Sequence, residues 1–159
     1  SLRDVVKSLE PHGFRKFYVI NGHGGNSEPN GIAMRQLKAE FPTLTLGHSG
    51  YFEYAKVATV GILEGPSKEI RHACEAEVSL MMYLHPTLVR ADKLRNDGLV
   101  SEPFIPGLIH HFDEQTEEGS HGFATFATPE KGKLIFEHAV EGLTKAMKAL
   151  ATGYVLRSL

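Results

Sequence analysis

The chain has 159 residues, a net charge of -2 and 42% hydrophobic residues. That length suits one domain with one sizeable core, or a piece of something larger. The slightly negative charge, without a long basic run, argues against a nucleic-acid surface, and no apolar stretch approaches the length of a membrane span.

Cys74 is the single cysteine, which excludes an internal disulfide framework and points to a reducing, cytoplasmic setting. The first residues, Ser1 to Glu10, are amphipathic and mixed in charge, unlike a signal peptide. Leu2 to Glu10 is predicted as a short helix ended by Pro11 and Gly13. Lys16 to Ile20 follows as a strand rich in aromatic and β-branched residues. After a glycine-rich loop comes a helix from about Gly31 to Phe41, with Ile32, Leu37 and Phe41 inward, and then a strand over Thr43 to Leu46. This alternation predicts an α/β layered fold with a mostly parallel sheet. Tyr51 to Leu63 reads as a short helix followed by irregular chain. Ser67 to Leu84 reads as a long helix capped by Ser67, with Glu69, Glu75 and Glu77 on its wet side. Asn96 to Thr128 reads as a long loop, and Glu130 to Leu150 as a final helix with Ile135 and Ala139 on one face. No repeat or interdomain linker interrupts residues 1–159, which read as one domain.

Two segments carry chemistry. Asn21-Gly22-His23-Gly24-Gly25-Asn26 lies between a strand and a helix, at the carboxyl edge of the sheet, where open α/β sheets place ligands. Glycines let the backbone turn tightly there and leave His23 projecting alone, and a neutral imidazole suits a divalent metal or a proton. A tight turn with a surface histidine is equally open on the residues alone. A dinucleotide fingerprint needs a third glycine where Ser27 stands, and the Gly-Lys-Ser/Thr ending of a P-loop is absent. In the second segment, the predicted helix puts His72 and Glu75 on one face, with Ser79 a turn further and Glu77 well away from them. Such spacings recur in metal sites on helices, although a solvated face has the same pattern. Cys74 reads as a small packed residue, since no basic cluster is near to lower its pKa.

Asn21-Gly-His-Gly-Gly-Asn26 and His72-Ala-Cys-Glu-Ala-Glu-Val-Ser79 together resemble the two signature segments of the creatininase (creatinine amidohydrolase) family. Leu84-His-Pro-Thr-Leu-Val89, Ala127-Thr-Pro-Glu-Lys-Gly132, and Leu2-Arg-Asp-Val-Val with His12-Gly13-Phe14 extend the likeness in the same order. The resemblance implies a three-layer α/β/α fold and hydrolysis of a non-peptide carbon–nitrogen bond, in a cyclic amide or formamide. It also implies a pair of divalent metals (zinc, manganese or iron), a small-molecule substrate and a homo-oligomer, often a hexamer. His23 matches a metal ligand. Gly25 stands where creatininase itself has a metal-binding glutamate, and Glu75 looks like its replacement, which argues against creatinine as the substrate. His72 matches the residue that passes a proton to the leaving nitrogen. Gly24, Gly25 and Glu77 are expected to border the substrate, with Glu77 orienting its neighbours. Cys74 and Val78 replace the family's Gly and Thr. Nothing here resembles the family's N-terminal Glu-x-His-Gly-x-His-Leu-Pro segment, which supplies further metal ligands. The expectation is therefore an N-terminally incomplete chain that is a poor catalyst alone. The competing expectations are a truncated, catalytically impaired homologue acting as an oligomeric fragment, and a glycine-loop nucleotide binder.

Overall fold

The computed structural model describes residues 1–98, 105 and 107–153. The chain groups into two compact units, one of Ser1–Glu53 with the chain from Leu143 onward, the other of Tyr54–Gly142.

The first unit opens with helix α1 (Leu2–Leu9). Ser1 starts it: its hydroxyl donates to Asp4 at 2.6 Å. A 3-10 turn over Glu10–His12 ends at Gly13, whose φ of 92° is the left-handed conformation that glycine tolerates. Strand β1 (Lys16–Asn21), helix α2 (Ser27–Glu40) and strand β2 (Thr45–Gly50) then form a β–α–β crossover. The strands pair in parallel, from Lys16 opposite Thr45 to Asn21 opposite Gly50. Val6, Met34, Leu37 and Leu44 make the buried core, and Leu2, Phe17, Val19, Phe41 and Leu46 pack on it. Phe17 and Val19 share one strand face because side chains alternate, while Tyr18 points the other way and donates to Ser49 Oγ at 2.8 Å. Helix α2 begins earlier than the sequence predicts, and Ile32 is exposed rather than inward. The core face is set by Met34 and Leu37, and Ile32 lies about 200° round the helix from Met34.

Helix α3 (Tyr51–Ile62) runs unbroken where the sequence predicts irregular chain after a short helix. In the second unit, helix α4 spans only Glu75–Leu84, not Ser67–Leu84. The difference has a local cause. Ala73 adopts φ 48°, and Cys74 is extended at the helix N-cap, so no helix can run through them into Glu75. The region predicted as a long loop holds a short antiparallel pair, β3 (Asn96–Asp97) with β4 (Gly122–Phe123). The Asp97 carboxylate gathers the N–H groups of Gly98, Glu117 and Glu118 at 2.6, 3.0 and 2.7 Å. Helix α5 (Pro129–Thr152) closes the described chain and buries Lys131, Gly132, Ile135 and Ala139. Among the described residues no helix is long and apolar enough to cross a membrane.

Candidate functional site

The loop after β1 is organised by Asn21. Its side chain is buried, donates to the His23 carbonyl at 2.7 Å and to Ser27 Oγ at 3.3 Å, and accepts the His23 N–H at 3.1 Å. This closed ring of bonds is a side-chain-built turn, the reason asparagine opens the segment. It fixes the His23 backbone in an extended conformation and leaves its imidazole exposed, with no hydrogen-bond partner among the described residues. Gly25 lies under that ring: a Cβ there would stand 2.8 Å from His23 Nε2. Gly24 faces open space.

The second segment is built differently from its sequence expectation. His72 and Glu75 do not share a helix face, because His72 precedes the left-handed Ala73 while Glu75 opens α4. His72 is exposed, and its ring meets Phe112 edge-on at 5.1 Å. Its carbonyl accepts the N–H of His121 at 2.7 Å. Glu77 is not directed away: its carboxylate accepts the Ala73 N–H at 2.6 Å, and it lines the same cavity as His72. That cavity is about 430 Å³, with Met81 and Leu88 on its apolar wall and Arg90 and Lys93 beside them. Cys74 is buried, and burial pushes its thiol pKa up, as expected of a packed residue.

Glu75 is not on a wet face either. Only 2% exposed, it accepts the Glu64 N–H at 2.9 Å, the Gly65 N–H at 2.8 Å and the Lys131 ammonium at 2.7 Å. Lys131 is a residue that sequence reasoning quoted without giving it a role. Arg71 and His121 were passed over too: Arg71 Nη1 lies 2.7 Å from His121 Nε2. A guanidinium can only donate, so this ring nitrogen is the acceptor and its proton belongs on Nδ1. A buried histidine beside an arginine has no sequence signal, since the two stand far apart in the chain.

The chain matches the creatininase family, described as creatinine amidohydrolase, over residues 1–147. It belongs to that family. It is 28% identical to the creatinine amidohydrolase of Pseudomonas putida, over 93% of this chain and 60% of that protein. Its fold matches the crystal structure of a Bacteroides fragilis protein assigned as a creatinine amidohydrolase. The TM-score is 0.83 and the identity 31%, over 98% of this chain and 62% of that one. A creatininase crystal structure matches with TM-score 0.72 and 28% identity, over 92% of this chain and 60% of that one. The chain thus spans about three fifths of the relatives it matches. Other matched creatininase structures include a Zn-Zn type, a Mn form and a complex with creatine. These likenesses make the fold creatininase-like α/β, as the resemblance implied.

The family therefore implies metal. A catalytic zinc site ordinarily has three protein ligands. Here His23 offers a free imidazole, but the Glu75 oxygens are already bonded to an ammonium and two backbone N–H groups. Among the described residues no three His, Cys, Asp or Glu side chains gather as a metal centre would need. The donors among the described residues do not fit the group as a set.

Proposed function

We propose that this chain carries part of the active site of a creatininase-type hydrolase that opens a non-peptide carbon–nitrogen bond in a cyclic amide or formamide. The reading treats residues 1–159 as one creatininase-like domain. The observation that carries it is His72. Its exposed imidazole has no polar partner among the described residues, is steadied by Phe112, and stands at a cavity that Glu77 also lines. In this reading a ring nitrogen of His72 delivers a proton to the departing nitrogen, because an amine leaves poorly as an anion. Glu77 keeps the Ala73 backbone still, so that the neighbouring ring does not wander, and Met81 and Leu88 offer the substrate an apolar wall. Gly24 and Gly25 leave the His23 loop clear of side chains, as a substrate-bordering loop would need. Divalent-metal dependence belongs to the same reading, supported by the Zn-Zn and Mn forms of the creatininases it matches and by the free His23 ring. A homo-oligomer in a cytoplasmic setting completes the proposal.

The test is turnover of cyclic amides and formamides by the protein supplied with zinc, manganese or iron, with metal analysis alongside. His72→Ala lowers turnover by about 10²–10⁴ while metal content stays constant. A variant that keeps its fold but releases metal would make His72 a ligand and refute this assignment.

A further inference from the structure

We infer that Glu75 is a structural anion held by Lys131 rather than a metal ligand, and that this buried pair positions the loop bearing His72. The inference rests on the reading of His72 as the proton carrier, and it disagrees with the metal role that the family resemblance gives Glu75.

Both partners are buried, Glu75 at 2% and Lys131 at 8% exposure. An ammonium has three N–H groups, and those of Lys131 have three acceptors: Glu75 Oε1 at 2.7 Å, the Phe126 carbonyl at 2.7 Å and Glu64 Oε2 at 3.1 Å. A carboxylate offers about four acceptor positions. Glu75 uses three of them, two on Oε1 for Glu64 N–H and Lys131, one on Oε2 for Gly65 N–H. The side of Oε2 is narrow as well, since a Cβ on Gly65 would stand 2.9 Å from it. A dication approaching Glu75 would meet an ammonium already seated on the same carboxylate. Burial pulls the Lys131 pKa down, but the hydrogen bonds and charges of Glu75 and Glu64 outweigh it, and the net shift is upward.

The pair reaches His72 through the backbone. Glu75 is the first residue of α4, so its anchoring fixes where the helix begins, and with it Cys74 and the left-handed Ala73. Lys131, on α5, also holds the Phe126 carbonyl ahead of that helix. Loss of the Lys131 charge leaves the buried Glu75 carboxylate without its cation, and loss of the Glu75 charge leaves Lys131 with only the exposed carboxylate of Glu64.

Thermal melts of Glu75→Gln, Lys131→Met and the double variant, each with and without added zinc or manganese, test the first half. Each single change is expected to lower Tm, the double change to lower it by clearly less than the sum, and the metal response of Lys131→Met to equal that of the unchanged protein. A metal-dependent rise in Tm that appears in Lys131→Met and vanishes in the double variant overturns the inference, because Lys131 would then only mask a ligand. Additive effects overturn it too. Should Lys131→Met fail to fold, Glu75→Gln decides: an unchanged metal response supports the inference, a lost one refutes it. The second half is read by the His72 imidazole proton signal, assigned by its absence in His72→Ala. Its shift carries the ring current of Phe112. It should move in folded Lys131→Met and return in Lys131→Arg. An unmoved signal means the pair stabilises without positioning. None of these readouts uses turnover, so the proposed hydrolysis can fail while this holds.

Discussion

Gly132→Ala offers a sharp test of how α4 and α5 cross. Helix propensity alone predicts a gain, since alanine is favoured over glycine by about 1 kcal/mol inside a helix. The structure predicts the opposite. A Cβ on Gly132 would overlap the carbonyl of Ser79 and press on Leu80 N at 2.9 Å, and these are backbone atoms of α4 that cannot rotate away. Ser79 cannot easily shift either. It is fully buried, its hydroxyl donates to the Glu75 carbonyl at 2.6 Å, and it accepts the Thr128 N–H at 3.1 Å. Overpacking a fixed site costs about 1–3 kcal/mol, and a clash with backbone belongs at the upper end. The net after the propensity gain is a loss of about 2 kcal/mol. At about 2–4 °C per kcal/mol for a chain of this size, Tm should fall by about 4–8 °C. Differential scanning calorimetry reads it, with Gly142→Ala as a companion whose added Cβ would first meet the Tyr54 side chain, at 2.9 Å, rather than backbone. A Tm equal to or above that of the unchanged protein refutes the crossing.

Asn21→Ala removes three hydrogen bonds around His23 and should cost about 1–3 kcal/mol by urea denaturation. An unchanged midpoint would show that the loop holds itself. Backbone N–H groups of Glu117 and then Glu118 hold the Asp97 carboxyl below its ordinary 3.8. Its contribution is therefore complete above pH 3.8 and lost as pH falls through the depressed value, so amide exchange at Glu117 and Glu118 should accelerate only in strong acid. Asp97→Asn should abolish that dependence. Cys74, with its thiol pKa raised by burial, should resist a disulfide reagent at neutral pH and react fully in denaturant. Rapid labelling of the folded protein would contradict its burial.

What the sequence disclosed and what it concealed follow from the range of the forces involved. The β–α–β crossover was legible because Lys16 to Ile20, the glycine loop and the following helix are written in adjacent residues, each with its own periodicity or turn signal. The start of α4 was not. Ser67 offered a good cap, apolar residues continued at helical spacing, and neither Ala73 in a left-handed conformation nor cysteine at an N-cap is a position that propensity favours. That one boundary moved His72 off the helix and undid the shared face with Glu75. Ile32 went wrong for a related reason: the helix face is chosen by the core it meets, not by the residue alone.

The expectation that Glu75 lies on the wet side of a helix failed at longer range. A glutamate in the first turn of a helix is favoured by the helix dipole and is ordinarily solvated, so local rules place it in water. Burial of the same carboxylate is tolerable only if its hydrogen bonds and its charge are both matched. Here the backbone N–H groups at Glu64 and Gly65 meet the first need, and Lys131, 56 residues further along, meets the second. Neither supplier is marked by spacing. The stretch Ala127-Thr-Pro-Glu-Lys-Gly132 could be recognised as family-like, yet only the folded arrangement shows why its last two residues belong together. Gly132 lets α5 come close against Ser79, and that approach puts the Lys131 ammonium within reach of Glu75. A metal role and a structural role for Glu75 would leave the same letters in the sequence; they differ in whether an ammonium already occupies the carboxylate.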